Sequence, residues 1–182
     1  MKADLELHST SYVDPSVRII GSGFFKLGRY SVIEPNVFID LGQNGSITIG
    51  DRAKVKYGAV LRAYDGTIEI KNRVSIGEYS LCAGHGGLII KDNVIIAGHC
   101  YITASGHIYD SEIATRFQGE TCKGIEIGEN CWVGANATIL DGVKLGKGCI
   151  IGAGAVVNKA ISEHTINVGI PSRTVKFIGE IE

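Results

Sequence analysis

His107 is the residue in this chain best placed to do chemistry. It stands just before Tyr109-Asp110-Ser111-Glu112-Ile113-Ala114-Thr115-Arg116-Phe117-Gln118-Gly119-Glu120-Thr121-Cys122-Lys123-Gly124, a charged stretch that keeps none of the periodicity on either side of it. A neutral imidazole, with an ordinary pKa of roughly 6.5, can take a proton near neutral pH when its other nitrogen is held. Asp110 and Glu112 are near enough in sequence to hold it, and a backbone carbonyl would serve equally. The plainer reading of the same position is a solvated turn histidine. His85 and His99 point outward from different sides of the repeat described next, and His8 and His164 are expected at the surface.

The elements that carry these residues follow an unusual period. Ile127, Val133, Ile139, Leu145, Ile151 and Val157 stand six apart, and four residues after each comes Cys131, Ala137, Val143, Cys149, Ala155 or Ile161. Helices repeat every 3.6 residues and half-buried strands every two, so neither explains a period of six. A three-sided prism does: each hexad is a short strand plus a corner, three hexads make one turn, and turns stack as parallel strands. The frame runs back through Leu27-Ile33-Ile39, Ile49-Val55-Leu61, Ile70-Ile76-Cys82 and Ile90-Ile96-Ile102. Short surpluses at Gly42 to Ser46, Asp65 to Thr67 and Gly86 to Gly87 read as loops bulging at a corner. The stretch after His107 must leave the prism altogether, and long excursions from a compact scaffold usually carry function.

The predicted organisation is one all-β domain over residues 1–182, with a cap at 1–24, hexad coils at 27–161, a protruding loop at about 108–126 and a short C-terminal cap at 162–182. The net charge of −1 and the lack of a basic run argue against nucleic acid and anionic membranes as partners. No apolar stretch approaches the roughly 20 residues of a membrane span, and the N-terminus lacks the apolar segment of a signal peptide. Five cysteines without paired ligand spacing, three of them (Cys82, Cys131 and Cys149) at core positions, suit a reducing cytoplasm.

Residues 124 to 159, with Trp132-Val133-Gly134 and Gly152-Ala153-Gly154-Ala155-Val156-Val157-Asn158-Lys159, followed by Gly169-Ile170-Pro171, resemble the hexapeptide-repeat acyltransferases. The branch of maltose, galactoside and capsular-polysaccharide O-acetyltransferases is the most similar. The resemblance implies a left-handed parallel β-helix, a homotrimer, and acetyl-CoA lying in a groove between neighbouring subunits. It gives a histidine just before the protruding loop the role of general base, which falls on His107. It puts the matching tryptophan, Trp132, beside the cofactor arm. Gly134, Ala135 and Ala153 are small corner residues that let such an arm approach the main chain. Asn158, Lys159, Arg173 and Lys176 lie towards the end of the prism, where the resemblance places the nucleotide. An amide near Gly134 or Ala135 is the candidate donor to an oxyanion.

The expected reaction is transfer of an acetyl group from acetyl-CoA to a hydroxyl of a sugar or polysaccharide, with no metal. Transfer to the amino group of a sugar is the alternative. Relatives acting on nucleotide-linked amino sugars often begin with an additional domain, whereas here the first hexad starts within about 25 residues. A second alternative resembles the carbonic anhydrases of similar build, with His85, His99 and His107 meeting across subunits on zinc near Arg62 and Asp65. Their separations of 14 and 8 do not match that family's close histidine pair.

Overall fold

The computed structural model describes residues 3–179. Three parallel sheets form the sides of a prism, and the chain visits them in rotation. The first face stacks Asp4–Leu7, Phe24–Leu27, Ser46–Ile49, Thr67–Ile70, Leu88–Ile90, Ile125–Ile127 and Lys144–Leu145. The second stacks Tyr12–Val13, Val32–Ile33, Lys54–Val55, Ser75–Ile76, Ile95–Ile96, Trp132–Val133, Ile150–Ile151 and Thr165–Val168. The third stacks Arg18–Ile20, Phe38–Asp40, Val60–Arg62, Leu81–Ala83, Tyr101–Thr103, Thr138–Ile139 and Val156–Val157. This is the parallel β-helix that the hexads predict.

The core is the column of hexad aliphatics. Ile49, Val55 and Leu61 meet on the axis in one turn and Ile90, Ile96 and Ile102 in another, all at most 2% exposed. Each such side chain contributes about 1.5–3 kcal/mol by leaving water. Cys82, Cys131 and Cys149 are buried free thiols at hexad positions, as expected, and burial pushes the Cys82 thiol up to about 12. Polar residues inside the corners are satisfied: the Ser80 hydroxyl donates to Ala97 O at 2.8 Å and accepts the Cys100 N–H at 3.0 Å.

The prism starts earlier than the cap predicted at 1–24. Asp4–Leu7, Tyr12–Val13 and Arg18–Ile20 form a complete first turn in register with the next, Leu5 opposite Phe25 and Ile19 opposite Ile39. Leu7, Val13 and Ile19 keep the six-residue step there, opposite Leu27, Ile33 and Ile39, although as the end turn it leaves Leu5 and Leu7 43% and 47% exposed. At the other end, Arg173–Phe177 runs antiparallel to Thr165–Val168 and covers the edge of the second face.

Two of the three edges are regular. From first face to second, and from second to third, every axial pair stands six apart, for example Ile70 to Ile76 to Cys82. From the second turn onward, one residue at each of these corners takes positive φ, as at Arg52, Arg73 and Asn93 on one edge and Tyr79, His99 and Asn136 on the other. The third edge, where the third face returns to the first, holds all the surpluses. Its steps run from Ile19 to Leu27, Ile39 to Ile49, Leu61 to Ile70, Cys82 to Ile90 and Ile102 to Ile127, and fall to six only between Ile139 and Leu145.

Candidate active site

The long excursion is a hairpin. The third-face strand ends at Thr103, after which Gly106–His107 pairs antiparallel with Glu120–Thr121, His107 opposite Glu120. His107 therefore heads the hairpin rather than closing a hexad. The Ile108 N–H donates to Gly119 O at 3.1 Å, and a single 3₁₀ turn, Thr115–Phe117, forms the tip. Tyr109, Ile113 and Phe117 face solvent there, 82%, 62% and 74% exposed. The return is pinned by Asp141, whose carboxylate accepts the N–H of Lys123 at 2.9 Å and of Gly124 at 3.0 Å.

This backbone places Glu120 between two imidazoles. One carboxylate oxygen lies 3.9 Å from His107 Nδ1 and the other 3.2 Å from His85 Nδ1. Among the described residues the carboxylate facing His107 is thus Glu120, in place of Asp110 or Glu112, which follow the chain out along the hairpin. A distance of 3.9 Å exceeds a hydrogen bond, and such contacts often tighten only with substrate bound. Sequence reasoning missed Glu120 because it lies thirteen residues from His107. Its position on the returning strand was the available signal.

The site continues down the irregular edge. The His85 ring lies 5.8 Å from that of Tyr64, and the Tyr64 hydroxyl accepts a hydrogen bond from Arg62 Nη1 at 2.9 Å. That bond pushes the Arg62 guanidinium further up. Asp65 accepts the N–H groups of Asn44 and Gln43, which hold its carboxyl below the usual range. Cys122 is exposed, and partial desolvation, then the charges of Glu120 and Asp141, push its thiol up. His99 stands on the edge between second and third faces, stacked on Tyr79 at 5.3 Å, so one chain does not bring it to His85 and His107.

The residues proposed to meet the cofactor lie elsewhere. Trp132 is on the second face, 51% exposed between Ile95 and Ile150. Gly134 is buried on the edge beside it; a Cβ there would meet Ala153 N at 2.6 Å, so the next turn uses the missing side chain. Its N–H donates to Ile151 O at 2.8 Å, which removes it as an oxyanion donor and leaves Ala135 of that pair. Ala135 is half-buried and Ala153 exposed on the same edge. Asn158 and Lys159 are exposed just past the last third-face strand, while Arg173 and Lys176 lie on the strand that covers the second face. His107 and Trp132 are thus separated within one chain, one on the irregular edge and one on the opposite side of the prism.

A parallel β-helix with one flap, bearing a histidine–carboxylate cluster at its root, defines the class of protein. Residues 124–159 match the bacterial transferase hexapeptide family (six repeats), and the parallel β-helix is that of a hexapeptide-repeat solenoid. It is 30% identical over 159 residues to a "probable acetyltransferase" of Mycobacterium tuberculosis, a match covering 87% of this chain and 51% of that protein. The chain thus spans about half the length of that relative. It is 27% identical to a dTDP-4-amino-4,6-dideoxy-D-glucose acyltransferase of Escherichia coli, over 71% of each chain. Among solved structures, a maltose O-acetyltransferase from Clostridium difficile 630 superposes with a TM-score of 0.60 at 26% identity, covering 86% of this chain and 71% of that one.

Proposed function

We propose that this chain is an acetyl-CoA-dependent O-acetyltransferase whose acceptor is a hydroxyl of a sugar or polysaccharide, with His107 as general base. The observation that carries the reading is His107 at the root of the one long flap among the described residues, exposed and faced by Glu120. The similarity to acetyltransferases supplies the class of donor. In the reaction His107 Nε2 takes the hydroxyl proton as the acceptor oxygen bonds to the thioester carbonyl carbon. The carbon–sulfur bond then breaks, and the imidazolium returns the proton to the departing thiolate. Glu120, opposite Nδ1, favours the tautomer with Nε2 free and steadies the imidazolium. Ala135 N–H is the proposed oxyanion donor.

The site requires a second copy of the chain. The first face is lined outward by ion pairs such as Lys26–Glu6 at 2.8 Å and Lys71–Glu69 at 2.7 Å. The second and third faces instead present Ile95, Trp132 and Tyr101, each about half exposed, and their shared edge carries Tyr57, Tyr79 and His99 in ring contact. Three copies of the chain set the root of the flap of one against the second face of the next. His107 of one subunit then approaches Trp132 of its neighbour, with Ala135, Ala153, Asn158, Lys159, Arg173 and Lys176 available to the pantetheine and phosphates of the donor.

The test is thiol release from acetyl-CoA against a panel of sugars, oligosaccharides and amino sugars. Turnover on hydroxyl acceptors is expected. Turnover confined to amino sugars would move the assignment to N-acetyl transfer, which the similarity to an amino-sugar acyltransferase keeps in view, and absence of CoA binding would remove the enzyme reading. Mixing inactive His107→Ala and Trp132→Ala proteins, after dissociation and reassembly, should restore part of the activity. No recovery would overturn the shared site.

A further inference from the structure

One group of side chains at the hairpin root shares only Glu120 with this chemistry. His85 comes from the corner after the fourth turn, and Glu120 and Cys122 from the returning strand and the residue just past it, 35 or more residues away in sequence. Their donor atoms, an imidazole nitrogen, a carboxylate oxygen and a sulfur, all lie within 4.8 Å of one another. Nitrogen, oxygen and sulfur donors converging in this way match the ligand preferences of zinc.

The backbone beneath them is held from several sides. Glu120 sits in the antiparallel ladder opposite His107. Asp141 fixes the two N–H groups immediately after Cys122. Gly86 lets Cys122 lie against the preceding corner, since a Cβ at Gly86 would come within 2.6 Å of the Cys122 carbonyl carbon. The His85 ring rests on Tyr64, and the carboxylates of Asp65 and Asp141 add negative charge around the group. All three donors reach solvent, so an ion can enter and keep water as its remaining ligand.

We propose that His85, Glu120 and Cys122 form a binding site for a zinc-class divalent cation. The ion would take one bond each from imidazole nitrogen, carboxylate oxygen and thiolate sulfur, and the thiol proton would leave to solvent. It would also draw Glu120 away from His107, so that an occupied site would slow transfer. Binding stands on the triad alone, whereas this inhibitory consequence rests on the proposed role of His107.

The experiment uses the intact chain, freed of metal, titrated with Co²⁺ as a spectroscopic probe and with Zn²⁺ in competition. The expected result is one ion per chain, a near-ultraviolet thiolate-to-cobalt charge-transfer band, and loss of that band on adding zinc. Cys122→Ser should abolish the band and His85→Ala should weaken binding on the order of tenfold or more. Both positions are exposed, and thermal melts check that the variants fold. His107→Ala should bind the ion unchanged. No band with the parent chain, or a band that survives Cys122→Ser, overturns the site. Zinc binding without slowed turnover would keep the site and remove its coupling to His107.

Discussion

The two regular edges and the irregular edge are built from the same hexads and do opposite work. Where axial residues keep a strict six-residue step, corners stack rung on rung, with one positive-φ residue at each from the second turn onward and little length to spare. Where the third face returns to the first, the step is longer at five successive turns, and there the chain gathers Arg62, Tyr64, Asp65, His85, His107, Glu120 and Cys122 into one column. A solenoid is held by neighbouring turns, so one edge can lengthen without disturbing the register of the other two. The ionisable cluster grew at the edge that the fold can spare.

Replacing His107 tests the irregular edge most severely. His107→Ala should lower kcat/KM by about 10²–10⁴ while leaving the melting temperature and CoA affinity unchanged, because the side chain is exposed and outside the core. Activity within threefold of the parent would remove His107 from the mechanism.

A pair of glycines sharpens the contrast. A Cβ at Gly77, on the edge between second and third faces, would meet the Ala97 carbonyl at about 2.4 Å, and rigid stacking leaves nothing to yield. Gly77→Ala should cost about 1–3 kcal/mol, read as a lowered midpoint in denaturant. A Cβ at Gly86 would strike Cys122 and Ala104 just as closely, but there the obstacle includes the base of a hairpin that can shift. Gly86→Ala should cost less stability and more turnover than Gly77→Ala. The reverse order would mean that the two edges are equally rigid. Glu120→Gln, which keeps shape and removes charge, should reduce turnover on the order of tenfold, a fraction of the His107 effect. The result to watch is KM, which an orienting role leaves in place.

The regular edges were legible in the sequence and the irregular one was legible only in part. Ile127 to Val157 announces its geometry because each residue is both a strand member and an axial filler, so packing and spacing give the same message. The excursion after His107 was also visible, since a prism leaves such a stretch no place inside. What stayed hidden was the pairing across it. His107 opposite Glu120 depends on where the hairpin turns, and Gln118 with the Thr115–Phe117 turn decides that without any periodic mark. The first turn, Asp4 to Ile20, was legible too, through Leu7, Val13 and Ile19 six apart, although it lies within the predicted cap.

The smallest expected effect separates the edges by charge. Asp65, on the irregular edge, accepts the N–H groups of Asn44 and Gln43, while Asp51, on a regular edge, accepts the side chain and N–H of Arg29. Both carboxyls are held below their ordinary value, by backbone hydrogen bonds at Asp65 and chiefly by the Arg29 hydrogen bond at Asp51. A depressed pKa in the folded state stabilises the fold above the unfolded value of about 3.9 and loses that contribution as pH falls towards the folded value. Thermal melts of Asp65→Asn and Asp51→Asn should therefore fall below the parent at pH 7 and draw level with it as pH drops below about 4. Added salt should narrow the gap for Asp51→Asn, whose partner is a charged guanidinium, more than for Asp65→Asn, whose partners are amides. A gap independent of pH in either variant would mean that the carboxylate acts there by shape and not by charge.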